Sequence, residues 1–204
     1  DGEDYHIDSL KTEVEIYNKE NKIKRNSIIC DWNLYNNKLL VAKSGEIMGK
    51  EYATKIEKIF GNQILNIHVI GISAGSFAAD YFCKEIKKLK QEHYLHLTLL
   101  DPFLLKGLNP FYGIKNFGID SNYCEQYLNS NDPVPFTNKP ILNGFVNDVT
   151  FCQQKKDFML IKKSIENDHS WPIYYYVKNW NITDPIRNKM SHLINKRGTV
   201  RYLK

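Results

Sequence analysis

In the stretch Ile67-His68-Val69-Ile70-Gly71-Ile72-Ser73-Ala74-Gly75-Ser76-Phe77, two hydrophobic periodicities meet at one serine. The run from Ile64 to Ile70 is mostly apolar and short enough for a buried strand. Beyond the serine, Phe77, Ala78, Tyr81, Phe82, Ile86 and Leu89 recur at helical spacing. That helix ends among Lys84, Lys87, Lys88 and Lys90, and cations suit a helix C-terminus. The few residues between the two patterns leave room only for a sharp turn. Small residues at 71, 74 and 75 let the chain bend and let other segments pass close by. Ser73 is therefore expected in a strained backbone conformation.

Working outward, the alternation continues. Ile7, Leu10, Val14 and Tyr17 predict an amphipathic first helix, and Ser27 to Trp32 reads as a short buried strand. Gly49 to Phe60 predicts a helix with Tyr52, Ile56, Ile59 and Phe60 on one face, ended by Gly61-Asn62. Leu95 to Leu100 is a strand stopped by Asp101-Pro102. A loop follows over Lys106 to Ser121, then a strand at Tyr123 to Leu128 and a last strand at Gly144 to Cys152. A polar segment and an aromatic helix beginning near Ser170 close the pattern. Nearly continuous apolar strands alternating with helices imply an α/β domain with a mostly parallel sheet covered on both faces. With no internal repeat, residues 1–204 read as one domain.

Bulk properties narrow the function classes. At 42% hydrophobic and 13% aromatic residues the chain can bury a real core, so disorder is not expected. The net charge of +5 is dispersed over helices and loops and reads as a solvated face. No basic stripe interleaved with aromatics points to nucleic acid, whereas peripheral contact with an anionic membrane stays open. No apolar run reaches the roughly eighteen residues of a membrane span, and no leader pattern is visible. The expectation is a soluble chain, secreted or organellar if a targeting segment has been removed. Cys30, Cys83, Cys124 and Cys152 lack the paired spacing of a zinc or redox motif. Cys30 and Cys83 read as core thiols, and Cys124 with Cys152 is left open as a disulfide. Asn181-Ile182-Thr183 is a glycosylation acceptor if the chain is secreted.

The turn itself carries G-x-S-x-G between a strand and a helix, the context in which a serine hydroxyl is raised above a sheet edge. The Ala74 amide, at the start of the helix, is the candidate oxyanion donor. A serine nucleophile needs a base. Of the histidines after Ser73, His93 and His96 fall at a helix end and within a strand, and His192 in a polar tail. His169, following the last strand, is the candidate base. Asp101 and Asp132 both end strands, and either can orient that imidazole; an Asx-Pro turn explains each equally well.

Ser27 to Trp32, Ile67 to Ala79, Leu99-Leu100-Asp101-Pro102 and Asp168-His169-Ser170-Trp171 with Tyr174 to Tyr176 resemble, in that order, the lipases of the α/β-hydrolase superfamily, most of all the pancreatic-type (neutral) lipases. The resemblance implies an α/β-hydrolase fold, with Ser73 as nucleophile, Asp101 as acid and His169 as base. Asn129 to Pro135 resembles instead the acid-bearing turn of fungal triacylglycerol lipases and keeps Asp132 as the alternative acid. Ile72 stands where the family carries His. Nothing before Ser27 reads as the family's earlier strands or as its His-Gly oxyanion loop, since His6 is followed by Ile7.

The function implied is hydrolysis of a carboxylic ester, lipid-like in its acyl chain, through an acyl-enzyme and without a metal or organic cofactor. Phe103, Phe111, Tyr112 and Phe117 are the aromatic supply for such a chain. The alternative is an inactive hydrolase-fold protein serving as a binding or structural subunit of a larger assembly.

Overall fold

The computed structural model describes residues 2–30, 40–61, 63–90, 92–161, 166–180 and 197–203. Five parallel strands form one sheet in the order β1-β2-β3-β4-β5. They are β1 (Asn66–Ile72), β2 (Tyr94–Leu100), β3 (Tyr123–Leu128), β4 (Phe145–Asp148) and β5 (Val200–Tyr202). The helices are α1 (Gly2–Glu20), α2 (Val41–Phe60), α3 (Ser76–Leu89), α4 (Tyr112–Asn116), α5 (Gln154–Ile161) and α6 (Glu166–Lys178). The architecture is α/β.

Side chains alternate across each strand, so the sheet serves two cores. One face carries Leu95, Leu97, Leu99, Cys124 and Val146 and is covered by α2, α3 and α4. The other carries Leu100 and Tyr127 and is covered by α1, α5 and α6 through Leu10, Val14, Phe158, Trp171 and Tyr176. Cys124 and Cys152 fall in these two separate cores as free thiols, which answers the disulfide question in the negative.

Of the large residues expected on one face of α2, Tyr52 and Ile56 pack partly buried against the core, beside a face built mostly of small residues. Ser44, Gly45, Met48, Gly49 and Ala53 are buried, while Ile59 is 68% exposed. A Cβ at Gly45 would lie 2.6 Å from Phe77 Cβ, and one at Gly49 would lie 2.6 Å from the Ala78 carbonyl oxygen. The two helices touch almost backbone to backbone, and the glycines make that possible.

Several expectations need correction. Residues 27–30 form no strand: Ile28, Ile29 and Cys30 are exposed, and β1 pairs with β2 alone among the described residues. An apolar run reports burial potential but supplies no ladder partner. Asp31 and Trp32, like Asn181 and His192, lie outside the described residues. β4 stops at Asp148, β5 rather than β4 ends the sheet, and the polar segment after β4 contains α5. No helix among the described residues is long and apolar enough to cross a membrane.

Candidate functional site

The carboxyl ends of parallel strands are where an open α/β sheet presents its reactive groups. Here β1 delivers Ser73, β2 delivers Asp101, and the turn after β3 delivers Asn129 and Asp132. Ser73 and Asp101 both hold left-handed backbone conformations, φ 48° and 45°. Such angles cost non-glycine residues free energy and persist only where the surroundings enforce them. The enforcement is visible: Phe103 N–H donates to the Ser73 carbonyl at 3.0 Å, and Asp101 N–H donates to the Tyr127 carbonyl at 2.9 Å. Ala74 follows Ser73 within the single 3-10 turn Ser73–Gly75 that leads into α3.

The glycines beside Ser73 do different jobs. A Cβ at Gly71 would lie 2.8 Å from both Ala79 Cβ and Ser76 Cα, whereas one at Gly75 would meet nothing within 4 Å. Gly71→Ala is therefore expected to lose about 1–3 kcal/mol by overpacking, and Gly75→Ala to stay within about 0.5 kcal/mol. Urea unfolding of the two variants measures the contrast.

His169 lies in the described first turn of α6 and bridges the site. Its Nε2 is 2.8 Å from Ser73 Oγ. Its Nδ1 is 2.9 Å from Asp101 Oδ2 and 2.7 Å from Asp132 Oδ2. The structure thus brings together Ser73, His169 and both aspartates offered as alternatives. All three acid-base partners are buried, with Asp101 at 0%, Asp132 at 2% and His169 at 9% exposure, while Ser73 keeps partial access.

A proline sets the entry of α6. Pro172 has no N–H to give to the carbonyl four residues back, which is that of Asp168. Asn129 Nδ2 donates to that carbonyl instead, at 2.8 Å. The Asn129 backbone N–H donates to Asp101 Oδ1 at 3.2 Å, and Lys155 of α5 donates to Asn129 Oδ1 at 3.1 Å. Lys155 also pairs with Asp168 at 2.7 Å. Trp171 Nε1 ties the next turn of α6 to the Val149 carbonyl at 2.8 Å. Asn129 is thus the hub that aligns the His169 helix with the strand ends. The sequence held one hint of it, a proline three residues after the candidate base. Asn129→Ala is expected to cost about 1–3 kcal/mol, because it leaves buried partners unpaired. A fall in Tm together with weaker serine reactivity checks this.

Electrostatics differ sharply between the two acids. Burial pushes the Asp101 carboxyl well above the usual range, and the hydrogen bond from His169 only partly offsets it. Burial also acts upward on Asp132, but bonds from His169, Asp101, Thr137 and Val134 outweigh it and hold that carboxyl at about 2. For His169 burial disfavours the imidazolium, yet the hydrogen bonds and negative charge of the Asp101–Asp132 pair win and raise it above the ordinary histidine range.

His68, His93 and His96 serve the framework. His93 Nδ1 accepts from the Leu65 N–H at 3.0 Å, and its Nε2 meets Glu57. His68, His96 and Glu125 cluster at the opposite end of the sheet, their ligating atoms within 4.8 Å of one another. That cluster is closed by its own bonds: His68 to Thr98 at 2.8 Å, Thr98 to Glu125 at 2.8 Å and His96 to Glu125 at 3.0 Å. Burial, His96 and the Arg25 charge hold His68 well below its ordinary value, and the same Arg25 charge opposes a cation. It is a satisfied polar network inside an apolar layer. The only other metal-capable cluster among the described residues is Asp101, Asp132 and His169, whose Nε2 already faces Ser73.

Of the aromatics expected to line a pocket, Phe117 is fully buried in the core and Tyr112 packs beside it, with its hydroxyl 3.1 Å from Tyr81. Phe103 is the one held at Ser73 by a backbone bond, and it meets Phe136 edge-on at 6.3 Å. Comparison of the chain with family models, with curated proteins and with solved structures finds no match.

Proposed function

We propose that this chain is a serine hydrolase with an α/β-hydrolase fold, acting on a carboxylic ester. The observation that carries the reading is the relay from Ser73 Oγ through His169 to buried carboxyls, 2.8 Å on one side of the ring and 2.7 and 2.9 Å on the other. A hydroxyl on a strained turn, aimed at an imidazole whose far nitrogen is held by an acid, is the arrangement that nucleophilic acyl transfer requires.

In this reading His169 Nε2 takes the Ser73 proton as Oγ attacks the ester carbonyl. The tetrahedral oxyanion accepts a hydrogen bond from the Ala74 amide. Collapse expels the alcohol, which takes its proton from His169, and leaves an acyl group on Ser73. Water, deprotonated by the same imidazole, then releases the acid and restores the serine. Phe103 and the partly exposed Phe136 support an apolar acyl chain.

Activity-based labelling with a fluorophosphonate, followed by hydrolysis of p-nitrophenyl esters of graded chain length, tests the proposal. Covalent labelling at Ser73 with a preference for longer acyl chains is expected. A folded protein that neither labels nor hydrolyses leaves the fold as a binding or structural subunit.

A further inference from the structure

We infer that Asp132 is the ionised carboxylate that orients His169, and that Asp101 is a neutral carboxylic acid donating its proton to Asp132. The inference rests on the hydrolase reading for its catalytic consequence. Its structural content is independent of that reading.

In the proton-accepting form of the relay the imidazole carries one proton, on Nδ1, because Nε2 must accept from Ser73. One N–H faces two carboxyl oxygens, at 2.7 and 2.9 Å. Both oxygens lie within the same 4.8 Å cluster, away from water. Like charges so placed do not both persist, and such a pair retains one proton.

The hydrogen-bond donors decide which carboxyl keeps it. Asp132 Oδ1 accepts the Val134 N–H at 3.0 Å, and its Oδ2 accepts the Thr137 hydroxyl at 2.5 Å as well as His169. Asp101 has no exposure and, among the described residues, accepts besides His169 the Asn129 N–H alone, at 3.2 Å. Negative charge settles where donors converge. Asp101 then has a proton to give, and Asp132 is the acceptor beside it. The remaining charges nearby, Lys155 of α5 and Asp168 of α6, neutralise each other at 2.7 Å and reach Asp101 through Asn129. Titration of the shared proton moves Asp101 and Asp132 together, as a coupled pair.

Both aspartates are positioning residues, acting through His169, and they differ in what an amide can replace. Asn mimics a neutral acid's shape and its donor, so Asp101→Asn preserves the charge that balances the imidazolium. Asp132→Asn removes that charge and disturbs the choice of tautomer.

The test uses the full chain with Asp101→Asn, Asp132→Asn and Thr137→Val, read two ways. Ring NMR titration of His169 requires no turnover; the rate of fluorophosphonate labelling does require the relay. For Asp101→Asn we expect the His169 midpoint to stay near wild type and labelling to slow by no more than about tenfold. For Asp132→Asn we expect a lowered midpoint and labelling slowed by on the order of a thousandfold or more at neutral pH. That loss should be partly recovered at higher pH, as Asp101 gives up its proton. Thr137→Val, which removes one donor to Asp132 and leaves both acids, should shift both readouts in the same direction by less, and it decides the matter if Asp132→Asn does not fold. Equal effects of the two Asn variants, or a larger one for Asp101→Asn, overturn the assignment. A wild-type chain that fails to label but shows the NMR contrast supports the assignment while refuting the hydrolase reading.

Discussion

Ser73→Ala is expected to abolish fluorophosphonate labelling and to lower the proposed ester turnover about a millionfold, close to the background rate, because relay residues fail as a unit. The size of the effect follows from the geometry. Among the described residues it is Ser73 Oγ that lies 2.8 Å from His169 Nε2, and Ser76, the next hydroxyl along the chain, is fully buried. Alanine tolerates the left-handed angle no better than serine, so the fold bears the same strain in both proteins and Tm should change little. Equal labelling of the variant and the wild type would remove Ser73 from the chemistry, whatever the fold.

His169→Ala is expected to have a comparable effect on the proposed turnover, and its pH signature is more informative. Since His169 is raised above the ordinary histidine range, its neutral, proton-accepting form is scarce at neutral pH. The proposed kcat/KM therefore climbs with pH, with a limiting slope of about tenfold per unit, to an alkaline plateau. Stability runs the other way. A group whose folded pKa exceeds its unfolded value stabilises fully below the unfolded value, about 6.5 for histidine, and loses that contribution as pH rises through the folded one. Wild type should thus lose Tm relative to His169→Ala over the same alkaline range in which it gains activity. Parallel Tm and kcat/KM profiles of the two proteins check both signs. A neutral-pH plateau in kcat/KM, with no differential loss of Tm, would contradict the assigned environment of His169.

Much of the framework could be read locally. α1, α3, β2 and β3 each carry their own periodicity, and the burial of Leu10, Val14, Phe77, Ile86, Leu97 and Leu99 follows it. The errors came where a pattern needs a distant partner to mean anything. Ile28 and Ile29 are apolar but have no neighbouring strand among the described residues, and α2 turns its glycines inward because α3 approaches too closely for larger residues. β5 has three residues and no pattern of its own; its pairing with β4 makes it a strand.

The candidate site divides along the same line. Sequence alone determined that a serine sits between strand and helix on a turn, that two aspartates end strands, and that His169 follows them, since residue type, spacing and local periodicity are properties of neighbours in the chain. Only the tertiary structure decided that both aspartates meet one ring nitrogen, that Asn129 holds the carbonyl left free by Pro172, and that Gly71 rather than Gly75 is crowded. Those are contacts between residues tens of positions apart. They depend on how strand ends and helix are brought together, and no short-range pattern records that.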